Sequence, residues 1–466
     1  MALEIVILAA GKGTRMRSDL PKVLHKLAGK PLLTHVINTA LKLKPKAIHV
    51  VVGHGADKVT DLVNSINNQD SILNIVLQKE QLGTGHAVMQ ALPNISTDST
   101  VLVLYGDTPL TPENLLIELI DKLEDRALGV LSAITQNPFG YGRILRNEDG
   151  YLNRIVEQKD ASVDELKIKE INTGIIVSKA QILKEYLPKI GNQNKQSEYY
   201  LTDLAGILSS EGKKVNITVA DNFELLSGVN SKSQLAYVER LFQKINAEKL
   251  MDEGVSFADP YRFDLRGELI HGKDCFIDTN VIIEGKVKIG DRVVIGSGCV
   301  ISNCEIDDDT ILSPYTVMDG ASLGKGTTVG PFARLRKGAN LNDTVHVGNF
   351  VEVKNSTLGI GTKAGHLTYL GDAVIGKDVN IGAGTITCNY DGANKSKTVI
   401  GDNVFVGSDT QLVAPVIVPE GVTIGAGSTI TKRIDIPSKA LVFTRAKETI
   451  KNNYQRPQKK VKGEHK

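Results

Sequence analysis

At 466 residues the chain exceeds one ordinary core, so two or more domains are expected. Its 55 basic and 53 acidic residues leave a formal net charge of +2, which carries no global nucleic-acid signal, and apolar runs such as Glu4 to Ala10 and Val101 to Tyr105 are far too short to span a bilayer. The N-terminus lacks the basic, apolar and small-residue order of a signal peptide, and Cys275, Cys299, Cys304 and Cys388 offer no paired CxxC set for structural zinc; a cytoplasmic protein with no nucleic-acid partner and no membrane insertion is expected.

The first 230 residues alternate short aliphatic runs with helical periodicity. Ile5 to Leu8, Ile48 to Val52, Ile75 to Leu77, Val101 to Tyr105 and Val130 to Ala133 read as strands, with amphipathic segments at Pro31 to Leu43 and Asn114 to Leu123. Buried strands alternating with helices predict an α/β, Rossmann-like, doubly wound and mainly parallel sheet, whose ligands bind at the carboxyl ends of the strands. Such an end carries Leu8-Ala9-Ala10-Gly11-Lys12-Gly13-Thr14-Arg15, followed by Pro21-Lys22. Glycines there let backbone amides close on phosphate oxygens, and Lys12, Arg15 and Lys22 can neutralise phosphate charge. The spacing is not that of a Walker A loop, and Met16 stands where a dinucleotide fingerprint needs its third glycine. A second strand, Val101 to Tyr105, runs into Gly106-Asp107, where an Asp can hold Mg²⁺ against a triphosphate or serve as a turn residue.

Ser231 to Met251 has no Pro or Gly and spaces Leu235, Val238, Leu241, Ile245 and Leu250 three to five apart, which predicts a connecting helix over 231–251. Beyond an irregular stretch through Pro260 and Gly267, an aliphatic residue recurs every sixth position. The runs are Ile283, Ile289, Ile295 and Ile301; Val317, Leu323, Val329, Leu335, Leu341, Val347 and Val353; and Ile400, Val406, Leu412, Val418, Ile424 and Ile430. A hexapeptide period is the signature of a parallel β-helix, here the left-handed hexapeptide type, over 252–455. Cys388 to Thr398 breaks the repeat with turn chemistry and reads as a loop projecting from one face. Residues 456–466 read as a disordered basic tail.

Inside the repeat a polar cluster stands out: Arg336, Glu352, Lys354, Gly365-His366-Leu367-Thr368-Tyr369, Asn380 and Asn389-Tyr390. An imidazole suits the task of accepting a proton from an attacking amine near neutral pH, which makes His366 a candidate base; on its own, a surface His is more often a structural residue.

The glycine loop with Arg15, Pro21 and Lys22 resembles the sugar-1-phosphate nucleotidyltransferases. Gln78 with Gln81-Leu82-Gly83-Thr84-Gly85-His86-Ala87, Gly140-Tyr141-Gly142-Arg143, Glu157, Glu170-Ile171-Asn172-Thr173-Gly174, Glu198-Tyr199-Tyr200 and Gly228-Val229-Asn230 extend the likeness. From about residue 3 to about residue 447 the chain resembles the bacterial bifunctional N-acetylglucosamine-1-phosphate uridyltransferase/glucosamine-1-phosphate N-acetyltransferases. The resemblance implies that Leu8, Ala9, Ala10, Gly11, Tyr105 and Gly106 line a UTP site, that Gln78, Gly83 and Thr84 hold the uracil, and that Gly142, Glu157, Asn172 and Thr173 hold the N-acetylated sugar. It further implies Mg²⁺ on Asp107 and Asn230, with Lys22 and Arg15 on the phosphates. For acetyl transfer it implies His366 as general base, Arg336, Lys354, Tyr369, Asn380, Asn389 and Tyr390 on the sugar phosphate, and Ala383, Ser408, Ala426 and Arg445 on acetyl-CoA. Chemistry alone would suggest only Arg445 for the cofactor, a solvated Arg fitting as well, and Gly425 replaces the first alanine of the family's pair. A homotrimer and a product, UDP-N-acetylglucosamine, that feeds bacterial peptidoglycan and lipopolysaccharide are implied as well. Two rivals remain: a nucleotidyltransferase whose β-helix only oligomerises or senses effectors, and a non-catalytic assembly or regulatory protein. Lys22 and Asp107 discriminate at the first site, His366 and Asn389 at the second.

Overall fold

The computed structural model describes residues 2–66, 72–432, 435–445 and 448–455; the basic tail expected at 456–466 lies outside them. The chain divides into two compact units, Met1–Asn246 and Ala247–Lys466. Among the described residues, no helix is long and apolar enough to cross a membrane.

The first unit is built on a nine-stranded sheet: β1 (Leu3–Leu8), β2 (Ala47–Val52), β3 (Leu73–Leu77), β4 (Thr100–Tyr105), β5 (Leu128–Ile134), β6 (Arg143–Arg146), β7 (Leu152–Val156), β8 (Glu170–Lys179) and β9 (Val215–Ala220). The order across the sheet is β9-β5-β8-β4-β1-β2-β3, with the β6/β7 hairpin attached to β8. Central strands are almost continuously apolar because both faces are covered; Glu4 on β1 and His49 on β2, both buried, pair with each other at 2.9 Å. On β1, Ile5 and Ile7 enter one core cluster with Val36, Ile37 and Ala40 of α1 (Leu32–Lys42), while Val6 enters another with Leu204, Ala205 and Leu208 of α2 (Asp203–Ser210). Four of the six neighbouring pairs along that order run parallel, yet β8 runs antiparallel to both β4 and β5. Its register against β5 shifts between Asn172 and Ile176. A bulge of this kind re-aims side chains, and here it falls on the Asn172-Thr173 pair.

The expected connecting helix is present as Lys232–Asp252. Its early residues Leu235, Val238 and Phe242 pack with Met16, Leu27, Leu32 and Val229 in the first unit, and Ala247 and Leu250 join the core of the second.

The second unit is a left-handed parallel β-helix whose coils stack one above another. Inward positions form continuous columns: Ile277, Ile295, Leu312, Val329, Val347, Ala364, Ile381, Val406 and Ile424 are successive partners on one face. Every member of that column is buried. Coil length is 17 or 18 residues, as in Ile301↔Met318 and Ile283↔Ile301, and it stretches to 25 at Val374↔Val399, where the loop after Cys388 is inserted. The cysteines at 275, 299 and 304 are buried thiols within this core; burial pushes that of Cys299 up to about 11.

Two sequence expectations need correction. Val317 is not inward: it is 43% exposed, and Met318 at 1% fills the column instead. The aliphatic step is six from Leu312 to Met318 and five from Met318 to Leu323, so the short step falls inside the run that looked strictly periodic. The stretch through Gly267 is also regular, since Phe263–Ile270 pairs residue for residue with Val281–Lys288 as an added first coil. It lacked a visible period because glycine replaces a side chain where coils touch: a Cβ on Gly267 would lie 1.9 Å from the carbonyl oxygen of Gly285. Gly267→Ala should therefore destabilise the β-helix by about 1–3 kcal/mol, read as a lower denaturant midpoint with an unchanged m-value.

Candidate functional site

In the first unit a cavity of about 500 Å³ opens at the carboxyl ends of β1 and β4. Leu8, Ala9, Ala10, Gly11, Lys22, Gln78, Gly83, Thr84, Tyr105 and Asp107 all line it, together with Lys12 and Glu198. Gly11 is needed neither for conformation nor for packing, because no protein atom lies within 4 Å of where its Cβ would be; the space is left for something else. Gly13 differs, with φ +60° and its Cβ position 2.6 Å from Cβ of Lys22, so glycine there lets Lys22 cross under the loop. Arg15 follows on the same turn and is exposed.

Lys22 Nζ donates to Asp107 Oδ2 at 2.5 Å and to Asn230 Oδ1 at 2.9 Å. These two oxygens come from segments far apart in sequence and meet on a single cation. That convergence fits a hard divalent ion completed by phosphate oxygens and water. Among the described residues no group of three His, Cys, Asp or Glu could hold a metal without such completion. Gly106 is buried directly before Asp107, with its amide on the carbonyl of Leu8.

Gln78 is buried, and its Nε2 lies 3.2 Å from the carbonyl of Gly83 and 3.0 Å from Nδ1 of His86. Gly83 has φ +110°, and a Cβ there would come within 2.8 Å of the Tyr199 backbone. Thr84 Oγ1 accepts from the Leu201 amide at 3.1 Å, tying the loop to the same segment.

Gly142, Glu157, Asn172 and Thr173 are absent from the cavity's lining, yet they form a connected shelf. A Cβ on Gly142 would sit 3.5 Å from the Glu157 carboxylate, and the Asn172 amide donates to the Gly142 carbonyl. Thr173 Oγ1 donates to the carbonyl of Leu131. Thr202 donates to Glu157 at 2.9 Å, a contact the sequence reading missed because Thr202 lies 45 residues on. Burial, with Asp203, Asp160 and Glu198 nearby, pushes the Glu157 carboxyl up; burial likewise raises the Tyr105 phenol, with Glu157 and Asp107 adding to it.

In the second unit His366 ends the strand Lys363–His366 and is exposed. Its Nδ1 lies 2.9 Å from Asn349 Oδ1, one coil away. The column of Ala364, Ile381, Val406 and Ile424 continues in register, so two residues further on His366, Ala383, Ser408 and Ala426 occupy one row at the same corner. Backbone bonds run beside the row, from Leu367 to Asn349, Gly384 to Leu367, Asp409 to Ala383 and Gly427 to Ser408. Arg445 is exposed beyond the last strand, Leu441–Val442.

Around the corner a charged network forms. Arg336 pairs with Glu352 at 2.8 Å, and Lys354 lies one coil from Arg336 beside Lys395. Lys395 foremost, then desolvation and Arg336, hold the Lys354 amine below the ordinary lysine range. Asp372 lies beside Lys395 and Lys354 and takes hydrogen bonds from Asn355 and buried Asn389, which keep its carboxyl below the ordinary range despite burial. Tyr369 faces Arg336 across the same sheet, next to Glu352 in register. Tyr390 is exposed on the inserted loop, with its hydroxyl on the carbonyl of Gly392. Asn380 stands apart: it belongs to the face of Lys363 and Phe405, not to that of Lys354, Tyr369 and Asn389. Lys395, Asp372 and Asn349 were missed in the sequence; the one available signal was a lysine inside the insertion.

Residues 5–157 match the MobA-like NTP transferase domain, residues 265–358 the GMPPB C-terminal domain, and residues 397–432 the bacterial transferase hexapeptide with its six repeats. The crystal structure of HddC from Yersinia pseudotuberculosis aligns at 20% identity over 51% of this chain and 99% of its own, with a TM-score of 0.40. The chain thus joins a nucleotidyltransferase domain to a hexapeptide-repeat transferase domain and is a transferase.

The raised Glu157 carboxyl has a stability consequence. Its folded pKa lies above the unfolded one, so the cost of ionising it appears as the pH rises through that window and persists above it. Glu157→Gln keeps an oxygen for Thr202 and removes the charge. Melting curves should show the variant more stable than wild type at pH 7.5, with the gain vanishing as the pH is lowered towards 4.

Proposed function

We propose that the chain is a two-site enzyme of UDP-N-acetylglucosamine synthesis. Residues 252–455 N-acetylate glucosamine-1-phosphate with acetyl-CoA, residues 1–230 transfer uridylyl from UTP to N-acetylglucosamine-1-phosphate, and helix 231–251 joins them. The observation that carries the reading beyond a generic transferase is the single row of His366, Ala383, Ser408 and Ala426, which sets a base at the end of a track of small residues.

In the first reaction the amine attacks the thioester carbonyl, its proton passes to Nε2 of His366, and the C–S bond breaks to release CoA, which takes a proton as a thiol. Arg336, Lys354 and Lys395 form a cationic patch for the sugar's phosphate, and a bound dianion would relieve the repulsion among them. In the second reaction a phosphate oxygen of the sugar attacks the α-phosphorus of UTP and pyrophosphate leaves. The nucleophile is already anionic, so no base is required. Mg²⁺ on Asp107 and Asn230 would neutralise charge at the phosphates. Lys22, then no longer needed between those oxygens, is free to meet the phosphates with Arg15. Both co-substrates suit a cytoplasmic enzyme.

We also read the protein as a homotrimer. Tyr315, Phe332, Phe350 and Leu367 project from one corner of successive coils, each between 49% and 62% exposed. All four adopt positive φ, and the first three rings stack at 5.2 and 5.5 Å. An apolar ladder held in a strained backbone supports a covered face.

Two tests follow from this reading. Given acetyl-CoA, glucosamine-1-phosphate, UTP and Mg²⁺, wild type should form UDP-N-acetylglucosamine by mass spectrometry. Asp107→Ala should lose uridylyl transfer and keep acetyl transfer within a few-fold, while His366→Ala should lower acetyl-transfer kcat by about 10²–10⁴-fold and spare uridylyl transfer. Joint loss in either folded variant would sink the two-site assignment. Separately, Phe332→Asn suits the left-handed backbone but removes an apolar ring, so light scattering should show its assembly weakened.

A further inference from the structure

Nδ1 of His366 lies 2.9 Å from Asn349 Oδ1, and Asn349 is its direct partner in the parallel ladder. The residues immediately before them are Gly348 and Gly365, where coils touch: a Cβ on Gly348 would fall 1.8 Å from the carbonyl oxygen of Gly365. Two adjacent coils are thus drawn together beside this pair. The peptide after His366 is held as well, since Leu367 donates its amide to the Asn349 carbonyl and buried Thr368 donates its hydroxyl to the His366 carbonyl at 2.7 Å. The His366 ring itself is exposed, so it has little packing of its own to orient it.

We propose that Asn349 is the positioning residue of the acetyl-transfer site, accepting the Nδ1–H of His366 and so leaving the lone pair of Nε2 as the base. The proposal rests on His366 being that base. An amide oxygen can only accept, so the ring nitrogen facing it must carry the proton, and the free lone pair then falls on the other nitrogen. A neutral partner does this without adding a negative charge. That choice matters for a base: a carboxylate in the same place would favour the imidazolium and leave less free base at neutral pH. Among the described residues, His346 lies beside both His366 and Lys363, and is pushed down by burial and then by Lys363 and His366.

The test uses the full-length enzyme and four variants. Asn349→Ala should lower acetyl-transfer kcat by about tenfold or more with KM within about twofold, because orientation and tautomer are lost while the substrate contacts remain. In a His366→Ala background the same substitution should have no further effect. Asn349→Asp is decisive, since a carboxylate accepts whichever way it turns: kcat on the alkaline plateau should stay within about threefold of wild type, and the acid limb should move up by about one pH unit. Uridylyl transfer should be unchanged throughout, which reports folding. If His366→Ala acetylates normally, the base assignment falls and the proposal with it. Should His366→Ala be inactive while Asn349→Ala is within twofold of wild type, or lowers the residual rate equally without His366, Asn349 has no positioning role. An Asn349→Asp enzyme with an unmoved acid limb, or one inactive at every pH, would mean that the side chain at 349 does not hold the Nδ1–H of the ring, and would overturn the proposal.

Discussion

The backbone register between coils of the β-helix is the constraint on which the second half of the molecule depends. Each strand is two to four residues long in most coils, too short to hold a side chain in place by itself. Position comes from the column beneath: one aliphatic residue per strand enters a stack of its equivalents, and parallel hydrogen bonds fix the height of the next coil. Because Ala364 and Ile381 are locked in that column, His366 and Ala383 two residues on are locked as well. Residues 17, 25 and 18 apart in sequence thereby become neighbours in one row, a spacing no local pattern would reveal.

In the first unit the placing is done by strand ends. The glycine loop leaves β1 and Gly106-Asp107 leaves β4, so adjacent parallel strands deliver the phosphate loop and the carboxylate to one rim. The antiparallel β8 then brings Asn172 and Thr173 towards the same end from the opposite direction, and the bulge in its register aims them. Asn230 arrives from beyond β9 and completes a site to which at least three separate segments contribute.

Much of this was legible in the sequence where the pattern was repetitive or chemically distinctive. The period of six identified the β-helix, and the five early strands were visible as aliphatic runs. What could not be read was whatever depends on a partner distant in sequence. The bulged β8 begins as Glu170-Ile171-Asn172-Thr173-Gly174, whose polar residues and glycine mask its strand character, and its direction is decided by neighbours rather than by its own residues. Val317 took the place of Met318 because two apolar residues stand side by side and only the register between coils decides which turns inward. The first coil escaped notice since Gly267 and His271 interrupt the aliphatic spacing between Leu265 and Ile277. Asn349 carried no signal at all, being one asparagine before an exposed phenylalanine.

The two candidate sites handle charge in opposite ways, and the difference follows from their chemistry. In the first, an ammonium, a carboxylate and an amide oxygen already form a closed set, so phosphates and a divalent ion can enter by exchanging partners without leaving a buried charge bare. In the second, Lys354 and Lys395 repel each other on one face, with Arg336 paired to Glu352 and Asp372 beside the two lysines, and an anion would relieve that repulsion. The imidazole sits around the corner from them, next to a neutral amide. A phosphate held among the cations would set an amine within reach of that corner while the positive charge stays on the far side of the bend. On the assignment proposed above, an anchor around the corner from the base would let the site bind a dianion and still keep a nitrogen free to take a proton.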